Sequence, residues 1–154
     1  MRIAFDLDET LIALPGSAMA VEPLGALSRI VSREPLRAGA PDLLRGLRAR
    51  GHEVWIYTTS LRSPTRLRLW FASFGVRLSG VVNHSRHTAA MARARIACTK
   101  YPPAFGIALL IDDSEGVEIE SRKLGFSMLR VAPYDADWCA RVEQAVRDAQ
   151  MRAP

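Results

Sequence analysis

The chain has 154 residues, of which 49% are hydrophobic and 24% charged, and a formal charge of +5. That length holds one domain with a proper core, the composition excludes a disordered or fibrous chain, and no apolar run approaches the ~20 residues of a bilayer-spanning helix. The basic excess is nearly all arginine, Lys100 and Lys123 being the only lysines, and it is scattered without a basic block. A general bias toward arginine explains this better than a dedicated polyanion surface, so nucleic acid is an allowed partner but not a favoured one, and no membrane partner is expected. The first residues carry aspartates where a secretory signal would be apolar, and Cys98 and Cys139 match no metal or redox spacing. Both points predict a reduced, cytoplasmic interior.

In chain order, the apolar residues 3–5 read as a strand that delivers Asp6 and Asp8. Side chains alternate along a strand, so the two carboxylates can face one space while Leu7 turns inward. Two carboxylates held close do not both stay ionised without a compensating cation. A divalent metal and a shared proton are both remedies; Mg²⁺ suits the first because it prefers oxygen ligands and keeps water positions open. Pro15-Gly16 marks a hairpin or loop. Leu24, Leu27, Ile30 and Val31 predict a helix over residues 22–31. Residues 41–50 read as a second helix, with Pro41 at its start, Gly51 just past its end, and Leu43, Leu44 and Leu47 as the buried stripe.

Residues 54–57 form a buried strand ending in Thr58-Thr59-Ser60. Ser63 and Pro64 open a third helix, with Ser63 as its cap and Leu67, Leu69, Trp70, Phe71 and Phe74 as a broad apolar face. A short strand over 78–82 leads to Asn83-His84-Ser85-Arg86-His87, read as a polar turn before an Ala-rich helix. His84 and His87 are candidate metal or substrate contacts, but no neighbouring carboxylate or cysteine completes a transition-metal set. Residues 100–106 hold too much proline for regular structure. The fully apolar strand 107–111 ends in Asp112-Asp113; a helix over 115–124 stops at Gly125; a last strand covers 126–131; and residues 137–151 form a terminal helix burying Trp138, Val142 and Val146. Short strands alternating with longer helices predict an α/β fold: a three-layer, Rossmann-like parallel sheet with helices on both faces.

Three predicted strands end in polar groups: Asp6 and Asp8, then Thr58, then Asp112 and Asp113. In an open parallel sheet the carboxyl ends share one edge, which is where ligands bind. The run Phe5-Asp-Leu-Asp-Glu-Thr-Leu11 resembles the first motif of the haloacid dehalogenase-like (HAD) superfamily, most of whose members are phosphatases. The order that follows is similar too: a strand ending in Thr or Ser, a lysine, and a strand ending in paired acids, over residues 3 to about 125.

The resemblance implies that Asp6 is the nucleophile, passing through an aspartyl-phosphate, and that Asp8 protonates the leaving alcohol and then activates water. It implies that Thr58, with Thr59 and Ser60 as rivals, donates to a phosphoryl oxygen, and that Lys100 holds Asp6 and the phosphate together. It implies Mg²⁺ on the carboxylates of Asp6 and Asp112, on the backbone carbonyl of Asp8, and on Asp113 directly or through water. Arg62 and Arg86 are candidate phosphate-substrate contacts by position only. Glu9 stands where many relatives have Gly; it also occurs in members acting on phosphoproteins, but those commonly carry Asn at the place of Asp113, so their substrate is not transferred.

About 50 residues separate Asp8 from Thr58 and about 40 separate Thr58 from Lys100, too few for an inserted cap domain. The expectation is one HAD-like domain over residues 1–154, with residues 9–35 as a minimal cap substitute. Its open site would admit a phosphorylated macromolecule, or a small molecule helped by an oligomeric partner. The function expected is Mg²⁺-dependent phosphomonoester hydrolysis. The alternative is a non-catalytic module binding phosphorylated or nucleic-acid ligands, against which four carboxylates argue.

Overall fold

A computed structural model describes residues 1–152, apart from the side chain of Leu27. Five strands form one sheet: β1 (Arg2–Phe5), β2 (Glu53–Tyr57), β3 (Gly80–Val82), β4 (Leu109–Asp112) and β5 (Met128–Arg130). Their order is β3-β2-β1-β4-β5 and every pairing is parallel. The helices are α1 (Ala26–Val31), α2 (Ala40–Ala49), α3 (Pro64–Ser73), α4 (His84–Ala94), α5 (Glu115–Leu124) and α6 (Trp138–Met151). This is the expected three-layer α/β arrangement, with β1 at the centre and β2 and β4 on either side of it.

Alternation along the strands divides the core in two. Ile3, Phe5, Val54, Ile56, Leu109 and Ile111 pack with Leu43, Leu44 and Leu47 of α2, Trp70 and Phe71 of α3, and Trp138, Val142 and Val146 of α6. Ala4, Trp55, Tyr57 and Leu110 face the other way, toward Val117 of α5 and Phe126. Among the described residues no helix is long and apolar enough to cross a membrane.

Four local readings need correction. The first helix begins at Ala26 rather than 22, because Val21 and Glu22 are already engaged: Val21 bridges Arg37, and the Glu22 N–H donates to Leu36 O at 2.7 Å. Its apolar stripe is also not a buried face, since Ile30 is 82% exposed while Ser28 is buried; the side chain of Leu27 lies outside the described residues. Leu69 of α3 is exposed, and Ser63 makes no capping bond with its side chain. His84–His87 are not a turn but the first turn of α4, capped by the Asn83 side chain, which accepts the Arg86 N–H at 3.2 Å. The proline-rich stretch is regular over Pro102–Phe105, one 3₁₀ helix with proline at its start, where a missing N–H costs nothing.

Residues 9–38 form an excursion from the carboxyl end of β1, pinned at its base. Ile12 bridges Leu36, and the Arg37 N–H donates to Leu11 O at 2.7 Å. Arg37 itself is buried; its guanidinium donates to the carbonyls of Thr10, Ala132 and Asp135 at 3.3, 2.8 and 2.9 Å and lies 4.6 Å from the Trp138 ring centroid.

Gly80 in β3 pairs with Trp55 of β2, and a Cβ there would sit 2.4 Å from the indole ring. That ring is held by Arg2 and Arg86, whose guanidinium carbons lie 4.5 and 5.2 Å from its centroid, and by its N–H bond to Glu53 at 3.1 Å. Gly80→Ala is therefore expected to lower stability by about 1–3 kcal/mol through overpacking. Urea unfolding measures this; an unchanged midpoint would mean that Trp55 is free to swing aside.

Candidate active site

The parallel register brings the polar strand ends to one edge. Asp6 directly follows β1, its N–H donating to Ile111 O of β4 at 2.8 Å. Asp112 ends β4. Thr58 follows β2, its N–H donating to Val82 O at 2.9 Å. Asp6, Thr58, Lys100 and Asp112 are all buried. The Lys100 ammonium donates to Asp6 Oδ1 and, at 2.6 Å, to Asp112 Oδ2; the other Asp112 oxygen, Oδ1, accepts the Ser114 N–H at 2.9 Å. The Thr10 hydroxyl donates to Asp113 at 3.3 Å.

Asp8 stands apart. Both of its oxygens accept from Arg62, at 3.0 and 3.1 Å, and Arg62 also binds Glu34 at 3.0 Å. Asp6 and Asp8 thus have separate protein cations, Lys100 and Arg62, in place of the single compensating charge or shared proton expected from their spacing. Glu9 turns the chain between them and the excursion. It adopts a left-handed φ of 59°, and its carboxylate accepts the Leu14 N–H at 2.6 Å and the Ser17 hydroxyl at 2.9 Å. Those bonds offset the strain of a side chain in that region.

One ligand oxygen from each of Asp6, Asp112 and Asp113 falls within 4.8 Å of the others. Three carboxylates against a single lysine leave a surplus of negative charge in a largely buried place. An all-oxygen, acidic donor set of this kind fits a hard divalent cation such as Mg²⁺. The carboxylate of Asp8, engaged by Arg62, is outside this group, so any part of Asp8 in a metal site falls to its backbone carbonyl.

Burial, aided by the charge of Asp112, pushes the Asp6 carboxyl up to about 7 against the opposing pull of Lys100. Burial alone would lower Lys100, but Asp6 and Asp112 outweigh it and raise its pKa. Burial and then the charge of Asp112 raise Asp113.

The Lys100 segment is held by groups that sequence reasoning passed over. Glu120 of α5 accepts the Thr99 N–H and hydroxyl at 2.9 Å and the Lys100 N–H at 3.4 Å. The Tyr57 hydroxyl accepts the Tyr101 N–H at 2.9 Å and lies 2.7 Å from His87 Nδ1, while His87 Nε2 lies 3.1 Å from Cys98 O. A carbonyl can only accept, so Nε2 carries the proton and Tyr57 donates to Nδ1. Both nitrogens of His87 are committed, which leaves none for a metal. His84 is exposed at the start of α4. Arg86 donates to Val81 O at 2.8 Å and stacks over Trp55 and Phe105, so it turns away from the carboxylates.

The Thr58 hydroxyl serves its own turn, accepting the Ser60 N–H and donating to Ser60 Oγ, both at 3.1 Å. Thr59 is exposed and Ser60 half-buried. A cleft of about 1030 Å³ lined by Arg48, Glu53, Arg68 and Leu69 includes none of these groups.

No family model and no curated protein matches the chain. Solved structures do. A predicted HAD-like family hydrolase from Porphyromonas gingivalis is similar over 95% of this chain and 97% of its own, with a TM-score of 0.53 and 15% identity. A HAD-superfamily hydrolase of subfamily IA, variant 1, from Geobacter sulfurreducens is similar over 84% of this chain and 88% of its own, with a TM-score of 0.51 and 15% identity. A chain of the Pnkp1/Rnl/Hen1 RNA repair complex is similar over 84% of this chain at a TM-score of 0.53 and 16% identity, and this protein spans only 42% of that chain. These likenesses show the fold: the chain has the HAD-like α/β fold. Among the described residues no further domain is inserted into it.

Two outcomes are expected. Lys100→Met leaves Asp6 and Asp112 buried without their cation and should cost about 3–5 kcal/mol in metal-free protein, measured by denaturant unfolding; a loss under ~1 kcal/mol would mean that the pair is already neutral. A carboxyl raised in the folded state holds a proton that the unfolded chain has given up. The stability from Asp6 is thus full below its ordinary value of 3.8 and lost as pH rises through about 7. In chelator-treated protein, Asp6→Asn should flatten the fall in stability across that window relative to wild type; parallel profiles would contradict the shift.

Proposed function

We propose that this protein is an Mg²⁺-dependent phosphomonoester hydrolase working through an aspartyl-phosphate on Asp6. The observation that carries the reading is the buried arrangement of Asp6 and Asp112 on adjacent strand ends, bridged by Lys100, with Asp113 alongside. The HAD-like fold supports a hydrolase at this edge. Asp6, Asp112 and Asp113 would hold the metal through carboxylate oxygens and Asp8 through its carbonyl; bound there, Mg²⁺ supplies positive charge to the phosphoryl oxygens.

Lys100 engages Asp6 Oδ1, orienting the carboxylate and leaving Oδ2 to attack phosphorus. As the new oxygen–phosphorus bond forms, the ester bond breaks toward the leaving oxygen; for Asp8 to carry and give the proton that this alcohol takes up, its ion pair with Arg62 must first open. Asp8 then takes a proton from water, which attacks the same phosphorus, frees Asp6 and releases inorganic phosphate. Among the hydroxyls, Thr58 is committed to its turn, so its service to a phosphoryl oxygen requires giving up the bond to Ser60; Ser60 is the more available donor. Residues 9–35 serve as the cap substitute, tied over the site by the contact of Arg62 with Asp8 and Glu34.

The alternative, a non-catalytic binder of phosphorylated or nucleic-acid ligands, draws on the charge of +5 and on the likeness to a chain of an RNA repair complex. Phosphate release from an aryl phosphate with and without Mg²⁺ separates the two readings. Mg²⁺-dependent release is expected, with Asp6→Asn reducing turnover by about 10³-fold or more. Mg²⁺ should also raise the melting temperature of wild type but not of Asp112→Asn. Release that persists undiminished in Asp6→Asn would remove the nucleophile; salt-sensitive RNA binding without any release would favour the alternative.

A further inference from the structure

Lys100 is the cation of the candidate site, yet no strand or helix holds it. Residues 95–101 run between α4 and the 3₁₀ helix and belong to neither. The N–H groups of Thr99, Lys100 and Tyr101 all donate to side chains: the first two to Glu120 at 2.9 and 3.4 Å, the third to the Tyr57 hydroxyl at 2.9 Å. The Cys98 carbonyl also accepts from a side chain, His87 Nε2 at 3.1 Å. A segment fixed in this way depends on the protonation of the groups that fix it, as a strand does not.

Tyr57 joins the pieces. It is fully buried at the end of β2, and its hydroxyl accepts the Tyr101 N–H and donates to His87 Nδ1 at 2.7 Å. The Lys100 ammonium lies over its ring, 5.8 Å from the centroid, and Phe105 packs edge-on against the same ring at 5.5 Å. His87 can serve Tyr57 and Cys98 together in one form only, neutral with its proton on Nε2. A second proton, on Nδ1, would set two donors face to face and bring a positive charge toward Lys100.

The titratable and charged groups that face the ring are Tyr57 on β2, His84 on its own helix, Cys98 and Lys100 on the segment, and Glu120 on α5. Burial has the largest influence and holds His87 below the ordinary histidine value, against the pull of the Cys98 carbonyl and Glu120. The neutral form therefore prevails at neutral pH.

We propose that His87 is a positioning residue for the reaction: neutral, it locks Tyr57 and the Cys98 carbonyl, and through them sets the Lys100 ammonium between Asp6 and Asp112. Protonation opens this lock, so the placement of the site's cation is lost on the acid side through a residue outside the carboxylate cluster. The proposal rests on the hydrolase reading above.

Two measurements test it. In chelator-treated wild type, NMR of the His87 ring nitrogens follows its protonation while amide exchange at Tyr101 follows the lock. Protection of the Tyr101 amide should fall about tenfold or more, relative to the β1 amides, as His87 takes up its proton. His87→Gln, which offers Cys98 a donor but Tyr57 no acceptor, should show the lowered protection at every pH. With an aryl phosphate and Mg²⁺, kcat of His87→Gln should lie about tenfold below wild type near pH 8, with KM little changed. That gap should close below the His87 titration, where wild type has lost the same lock. His87→Asn, whose side-chain oxygen can take the place of Nδ1, should recover part of the loss.

A gap that stays constant across pH would make His87 merely a support of the fold and overturn the proposal. A Tyr101 amide indifferent to the His87 titration would do the same, and this arm needs no variant to fold. If the exchange results hold while wild type releases no phosphate, the lock on Lys100 stands and the hydrolase reading alone falls.

Discussion

One ammonium group organises the carboxyl edge of this sheet. Lys100 reaches Asp6 and Asp112 from a segment outside the strands and is itself almost wholly buried between them. Charges taken out of water need both partners and good geometry to recover the cost of desolvation. That requirement explains how much of the surrounding structure is devoted to residues 98–101. Glu120 grips the backbone on one side; on the other, the Tyr57 hydroxyl accepts the Tyr101 N–H and His87 donates to Cys98 O. A strand, two helices and a loop are thus drawn together to place a single side chain.

The same economy governs the excursion that follows β1. It has no core of its own, and its ends are tied by two short backbone bridges and by the carbonyl contacts of the buried Arg37. A buried guanidinium with three carbonyl acceptors needs no paired acid, because its fixed fork of donors is met by neutral dipoles. Arg62 does the corresponding work at the outer end, linking Asp8 to Glu34. Arg37 and Arg62, like Arg2 and Arg86 around Trp55, therefore have defined structural tasks inside what the composition presents as a uniform bias.

Particular elements show how far linear reading reaches. The 115–124 helix matches α5 residue for residue, since the glycine that ends it is a local signal; its cap by the Ser114 side chain is what the structure adds. The buried stripe of α2 and the face of α6 follow from local signals as well. The first helix did not start where its periodicity began, because Val21 and Glu22 had partners at Leu36 and Arg37, distant in sequence. Likewise the histidines of the 83–87 stretch belong to a helix, and one of them serves a tyrosine thirty residues away rather than a ligand.

Order along the chain was enough to determine the strands, their alternation with helices, and hence the edge at which Asp6, Thr58 and Asp112 would emerge. Those properties depend on neighbours within a few residues and on the handedness rules of parallel sheets. Only the tertiary structure decided which charge meets which: that Lys100 bridges Asp6 and Asp112, that Asp8 goes to Arg62, and that Thr58 turns to Ser60. Ion pairs and side-chain hydrogen bonds form between groups up to a hundred residues apart, and their geometry exists only once the core has set the distances.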